Sequence, residues 1–364
     1  ILLHHEDIAL EFDQLIDNYN ASAAERWVRQ IRDVASEMVD LEDPELTVHI
    51  ISSNTHSVGN CLSVFLARRR AEILAWGREN HPEIGGAPTT ARPWGERWAE
   101  ESDLLYALSR HYLTAVPGAK QSCIQEERAS GRHRLQTTAF TGIAVDLICA
   151  HQLEPELTDP AVEFEAPQRP VLIVNVDYAF GQQAELILSN LLFVFGQKVR
   201  SVNVLGKAGG LVGHRGDLML PRSTLLQTND AQYVLPNATL SRDKLQQLSG
   251  DRTVFEGPVL TVAGTLMQDR RLLHFYRKMW KCVGLEMEGS FFARTLIAAM
   301  DAGIVNRDVQ SRFAYYISDV PLVPQSNLSE GMDPTEGVPP LYAITRAILQ
   351  EILAACLLGV EELL

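Results

Sequence analysis

At 364 residues and 46% apolar side chains, the chain has enough material for one large domain or two ordinary ones around a substantial core. Its formal charge of −14 argues against a nucleic-acid surface, which needs a basic face to neutralise phosphates. No apolar run reaches the length of a membrane span and no signal-peptide pattern opens the sequence, although the chain starts without Met, which leaves room for a trimmed leader or tag. Cys61, Cys123, Cys149, Cys282 and Cys356 are scattered and form no Cys-x-x-Cys pair. That pattern suits a reducing cytoplasm and argues against a disulfide framework or zinc site, so no metal is expected. An isolated cysteine is usually a small buried hydrophobe, which makes a catalytic thiol the minor reading.

Residues 1–42 read as helical and acidic, with His4, His5 and Glu6 as a solvated helix start. Leu46 to Ile51 reads as a strand, followed by a polar turn from Ser52 to Asn60 and a helix over 62–78. Such a turn is either an anion-binding array of N–H groups or an ordinary β-to-α loop. Arg68, Arg69 and Arg70 lie too far along that helix to serve the same anion and read as surface or interface charge. Residues 79–97 are a Pro/Gly-rich linker, and 98–115 and 135–152 read as helices flanking a polar stretch.

From residue 170 the texture becomes α/β. Val171 to Val176 is a continuous apolar run of the kind covered on both faces, and Asp177 to Gly181 turns it into a helix from Gln182 to about Phe195. Ser201 to Leu205 is a further buried strand, ending in what reads as a glycine-rich turn, Gly206-Lys207-Ala208-Gly209-Gly210-Leu211. Strand, helix and strand in this order predict a right-handed βαβ unit with parallel strands. Val259 to Gly264 predicts another strand, and 270–280 and 340–358 predict helices.

The two carboxylates that attract attention come last. Gly284-Leu285-Glu286-Met287-Glu288-Gly289 opens a helix whose stripe is Phe291, Phe292, Leu296, Ile297 and Met300. Phe313 to Ser318 reads as a strand with Asp319 at its tip. Glu286 and Glu288 are two residues apart, so at most one faces a given ligand. A carboxylate is a natural acceptor for a ribose diol, and a part-buried aspartate has its pKa raised toward a general acid's working range. Taken singly, Asp319 reads as a cap for the next turn, Lys207 as a solvent-facing lysine and the glycines as a tight turn.

Together these segments resemble the nucleoside phosphorylase and nucleosidase superfamily, which includes purine nucleoside phosphorylases, methylthioadenosine/S-adenosylhomocysteine nucleosidases and AMP nucleosidases. Gly206 to Leu211 with Gly216-Asp217 looks like its Gly-Ser-Ala-Gly-Gly-Leu…Gly-Asp segment, and Asp177 to Gly181 occupies its Ser-Gly-Ile-Gly turn. Leu285-Glu286-Met287-Glu288 looks like Val-Glu-Met-Glu, and Ile317-Ser318-Asp319 like Ile-Ser-Asp. The resemblance spans about 170–325, extends to the strand at 46–60, and is absent from the N-terminal helices and from 61–169.

The resemblance implies an α/β fold: a single domain with a twisted, mostly parallel central sheet flanked by helices. Residues 1–45 would be an N-terminal helical extension, and 46–364 the α/β domain with a helical insertion at about 61–169. It implies cleavage of the N-glycosidic bond of a purine nucleoside or nucleotide. Glu288 would hold the ribose hydroxyls with Met287 against the sugar, while Asp319 would assist the departing base. Met267, in the loop Gly264 to Gln268, and Ser318 would line the base. Gly206, Lys207, Asn54, Thr55 and His56 would face phosphate or the water nucleophile. No cofactor is implied, apart from inorganic phosphate as co-substrate in a phosphorylase, and a homodimer is expected by analogy. Three departures stand out: Lys207 replaces Ser/Thr, Tyr315 stands where nucleosidases carry the arginine of Arg-x-Ile-Ser-Asp, and Val204 stands where purine phosphorylases carry a phosphate-binding arginine. The last departure favours hydrolysis. Phosphorolysis, or nucleoside binding without turnover, are the alternatives.

Overall fold

Helix α1 (Ala21–Met38) begins the part of the chain described by the computed structural model, which covers residues 21–85, 95, 98–135, 141–263, 269–323 and 331–355. It buries Trp27, Ile31 and Ala35 at helical spacing, and the Trp27 indole donates to the Ile143 carbonyl at 3.2 Å. After β1 (Thr47–Ser52), the single helix expected over 62–78 is divided into α2 (Thr55–Cys61), α3 (Val64–Arg68) and α4 (Arg70–Asn80). The breaks come from side-chain caps: Asn54 accepts the N–H of Ser57 and Ser63 that of Leu66, each starting a new helix. Arg69 and Arg70 pair with Glu126 and Glu101 at 2.7 Å each, so these charges tie α3 and α4 to the helices that follow.

Next come α5 (Pro82–Gly85), α6 (Glu101–Ala115) and α7 (Ala119–Ala129), the last of which makes the expected polar stretch helical. Among the described residues of 135–152 the expected α-helix is absent, and only a 3-10 turn at Ala150–Gln152 is helical. Instead β2 (Arg132–Leu135) and β3 (Val145–Cys149) form a hairpin on the sheet margin, β3 lying antiparallel to β4 (Val171–Val176). All five residues of β3 are buried, so its run carries no alternation to separate strand from helix. The stretch 61–169 therefore contributes strands to the sheet as well as helices.

The chain continues through α8 (Gln183–Phe195), β5 (Val199–Gly210), β6 (Leu218–Leu220), β7 (Ser223–Leu226), β8 (Ala231–Val234), α9 (Arg242–Leu248), β9 (Val254–Glu256) and β10 (Val259–Thr261). Helix α10 (Arg270–Phe275) runs on into a π-helical turn, followed by β11 (Gly284–Glu286), α11 (Gly289–Asp301), β12 (Gln310–Asp319) and α12 (Pro334–Ala355). Strands β4, β1, β5 and β12 are mutually parallel neighbours. On the far side β11 pairs antiparallel with β5 and starts a second parallel run, β11–β10–β7. The result is an α/β domain with a mixed sheet of twelve strands among the described residues.

Alternation along β12 assigns the two faces of this sheet. Phe313, Tyr315 and Ile317 join α1, α8 and α11 in one core layer. Ala314 and Tyr316 join the layer of Phe65, Leu108, Ile344, Ile348 and Ile352 on the opposite face. In that second layer Arg346 of α12 is buried between Asp103 (2.7 Å) and Asp159 (2.9 Å), and Tyr106 donates to Asp159 at 2.7 Å. Smaller than either, a third cluster groups Leu211, Leu260, Leu273, Tyr276 and Leu285.

Candidate active site

Ligands in open α/β sheets collect at the carboxyl ends of parallel strands, and four loops meet at that end of β1, β4, β5 and β12. The expected glycine turn is not a turn: Gly206 to Gly210 continue β5, and none of these glycines has a positive φ. Their role is close approach. A Cβ at Gly209 would lie 3.0 Å from Asp319 Oδ2 and 3.2 Å from a Leu285 methyl, and one at Gly206 would lie 3.3 Å from the Tyr178 ring. Bare backbone lets β11, β12 and Tyr178 close on the strand from three sides.

The β11–α11 junction divides the two glutamates. Glu286 is 5% exposed and accepts hydrogen bonds from Thr261 Oγ1 (2.6 Å) and from the N–H groups of Glu288 (2.6 Å) and Gly289. It therefore caps α11 across the helix N-terminus, where a carboxylate is favoured. Glu288, left half-buried, accepts the N–H of Gly181 at 3.1 Å. Gly181 has φ +56°, a conformation that a side chain would strain. Burial, and then the neighbouring Glu286 charge, push Glu288 up to about 7. Met287 packs against the small cluster containing Leu285 and Leu211.

At the tip of β12, Asp319 pairs in register with Gly209, which on its other side faces Leu285. Burial pushes its carboxyl up, opposed by the hydrogen bond from Ser318 and by the charges of Lys207 and Arg215. Ser318, expected against the base, has its hydroxyl 2.9 Å from Asp319 Oδ1 and 3.4 Å from the Ala208 carbonyl. Lys207 is exposed and its charge acts on Asp319. Gly216-Asp217 is structural: Asp217 accepts the N–H groups of His214 (2.8 Å) and Thr253 (2.9 Å).

In the loop after β1, Asn54 caps α2 and bonds Tyr178, whose ring lies over Gly206. Thr55 is fully buried and accepts a hydrogen bond from Arg134 of β2 at 2.9 Å. His56 is exposed by surface area, yet the protein packed around its ring removes part of its hydration, and this, with the Arg134 charge, holds its imidazole below the usual range. Met267 lies outside the described residues.

Glu288 and Asp319 thus flank the glycine stretch of β5, one after each neighbouring strand. Two strand spacings separate those neighbours, roughly 10 Å. Glu288 stands on the side of α8 and α11, whereas Asp319 shares the face of Gly209 and Leu285. Sequence reasoning missed Tyr178 and Arg134 as parts of this region. Tyr178 falls within the Asp177 to Gly181 turn without a residue signal of its own, and Arg134 carries no motif signal; each reaches the region through tertiary packing. The described thiols are not nucleophiles in waiting: burial pushes Cys123 and Cys149 to about 11 and Cys282 to about 12, and holds Cys61 well above its usual range. Among the described residues no three His, Cys, Asp or Glu side chains converge as a metal site, and no helix is long and apolar enough to cross a membrane.

A family model described as "Family of unknown function (DUF6909)" matches residues 1–354. No curated protein matches the chain. Among solved structures the chain is similar to 5'-methylthioadenosine/S-adenosylhomocysteine nucleosidase from Neisseria meningitidis, at 11% identity and TM-score 0.46, covering 84% of this chain and 99% of that one. It is similar to futalosine hydrolase of Helicobacter pylori strain 26695, at 11% identity and TM-score 0.44, covering 85% and 97%. It is also similar to purine nucleoside phosphorylase from Toxoplasma gondii, at 11% identity and TM-score 0.43, covering 87% and 94%. At these values the likeness is one of outline and transfers no chemistry.

Proposed function

The chain belongs to the DUF6909 family, and for it we propose cleavage of the N-glycosidic bond of a purine nucleoside or nucleotide. In this reading Glu288 holds the ribose diol and Asp319 assists departure of the base. The observation that carries it is the pair of part-buried carboxyls, both with raised pKa, flanking a strand end that has glycine at 206, 209 and 210. In this reading the ligand lies at the end of β5, where glycine at 206, 209 and 210 leaves room beside Lys207, and reaches the two acids from there.

The two acids suit opposite halves of the reaction. As the C1′–N9 bond breaks, positive charge grows on the sugar and negative charge on the base. A protonated Asp319 relieves the charge on the purine at N7, and burial favours that protonated form. Glu288 accepts from the 2′- and 3′-hydroxyls, whose hydrogen bonds favour its ionised form and draw its pKa down again. Glu286, saturated by three donors, stays with the helix.

Water is the favoured nucleophile. Val204 is buried in the core at the position where the resemblance would put a phosphate-binding arginine. One observation favours the phosphorylase alternative: Arg134 brings a guanidinium to Thr55 and His56. Base release from a panel of purine nucleosides and nucleotides, with and without inorganic phosphate, separates the readings. Equal rates without phosphate are expected. Strict phosphate dependence would make it a phosphorylase, binding without release a sensor, and neither binding nor release would end the proposal.

A further inference from the structure

Tyr315 of β12 sits in register with Gly206, is 3% exposed, and has a buried hydroxyl with no hydrogen-bond partner. A Cβ at Gly289 would lie 3.0 Å from that hydroxyl and 2.9 Å from Glu286 Oε1, so glycine holds open a space that the phenol and the first carboxylate share. Buried polar groups almost always find partners, and an exception asks for a reason. Here the phenol is walled in, out of a ligand's direct reach, and stays protonated: burial, and then Glu286 and Glu288, hold it far above its usual range. It is a donor without an acceptor.

The two neighbouring acceptors differ. Glu286 already takes Thr261 and two backbone N–H groups, close to what a carboxylate accepts. Glu288 takes backbone N–H groups alone, those of Gly181 and Met287. We propose that Tyr315 is a positioning residue for Glu288, donating its O–H to that carboxylate once the sugar is bound and fixing its angle toward the diol. The proposal rests on the sugar-binding role given to Glu288 above. Glu286 from β11 acts on Glu288, and Glu286, Glu288 and Tyr178 from the loop after β4 act on Tyr315 of β12, while Arg294 of α11 is paired with Glu185 of α8.

The test is Tyr315→Phe, which keeps the ring and removes the donor. Adenosine and inosine turnover are followed against pH, with thermal melting of the free protein alongside. The hydroxyl has no partner before binding, so the variant should melt at or above the wild-type temperature and keep the acid limb of kcat/KM, which reports the free enzyme. The acid limb of kcat, which reports the complex, should move up by about one pH unit, with kcat about tenfold lower on that limb. Superimposable kcat profiles would overturn the proposal while leaving the glycosidase reading intact. A wild-type protein that neither binds nor cleaves any member of the nucleoside and nucleotide panel would take down both, and that result is visible before the variant is made; where another member is the substrate, the same profiles are read with it.

Discussion

Replacing Glu288 with Gln should make the protein more stable and less active, with both effects traceable to one charge. The amide keeps an oxygen for the Gly181 N–H, held at 3.1 Å, and removes a carboxylate raised from 4.5 to about 7 by burial and by Glu286. The sign follows from proton binding. Between pH 4.5 and 7 the folded protein binds a proton that the unfolded chain releases, so this group's contribution to stability falls as pH rises through that window and stays low above it. At about 1.4 kcal/mol per tenfold in acidity, the deficit reaches about 3 kcal/mol at pH 8 and falls well below about 1 kcal/mol at pH 4.5. Urea unfolding at those two pH values should give a gain for Glu288→Gln that grows by that difference. A neutral acceptor in place of a charged one should weaken the diol contacts by about 2 kcal/mol, roughly thirtyfold in kcat/KM. A stability gain of equal size at both pH values, or a loss at pH 8, would refute the reasoning, because the carboxylate would then not be strained by its ionisation.

Three further substitutions probe the rest of the arrangement. Asp319→Asn should lower kcat by about 10² to 10⁴ while nucleoside affinity, read by calorimetry, stays near wild type; equal loss of both would mark the residue as structural. Gly209→Ala puts a methyl 3.0 Å from Asp319 Oδ2, so kcat should fall about a hundredfold through displacement of the acid, with a stability loss of about 1 to 3 kcal/mol in denaturant titrations. Arg346→Met strands Asp103 and Asp159, 2% and 3% exposed, and should cost about 3 to 5 kcal/mol at pH 8. That cost should shrink below pH 6, the region to which burial raises Asp103, and a pH-independent loss would show that packing dominates.

What could be read in the sequence was whatever depended on local pattern. The run Val171 to Val176, apolar but for Asn175, and the aromatic strand ending in Asp319 both appear where the residue pattern puts them. The helix over 135–152 failed because β3 is buried on every residue, and its partner β2 contributes a polar sequence, Arg-His-Arg-Leu, that looks like no core strand. Gly206 to Gly210 was misread for a different reason. Glycine clusters signal turns when they supply positive φ, whereas these supply room, a need created by Tyr178, Leu285 and Asp319 from distant parts of the chain. Arg134 reaching Thr55 across 79 positions of sequence is invisible to any local rule.

The spacing of the two glutamates is better understood from the helix than from the ligand. Glu288 occupies the N-cap of α11 yet makes no side-chain capping bond, because Glu286 reaches past it to take the first N–H groups. A capping carboxylate is stabilised by those donors and by the helix dipole, and so is poorly available to a substrate. Moving the cap back into β11 frees the next acid, holds it beside the strand end, and leaves it short of donors in a low-dielectric corner. In the proposed reading, Glu286 gives its acceptors to the helix start and Glu288 keeps acceptors for the sugar. Glu286 ends β11 and Glu288 stands at the N-cap of α11, so the Glu-x-Glu spacing spans the strand-to-helix junction and gives each carboxylate its own donors.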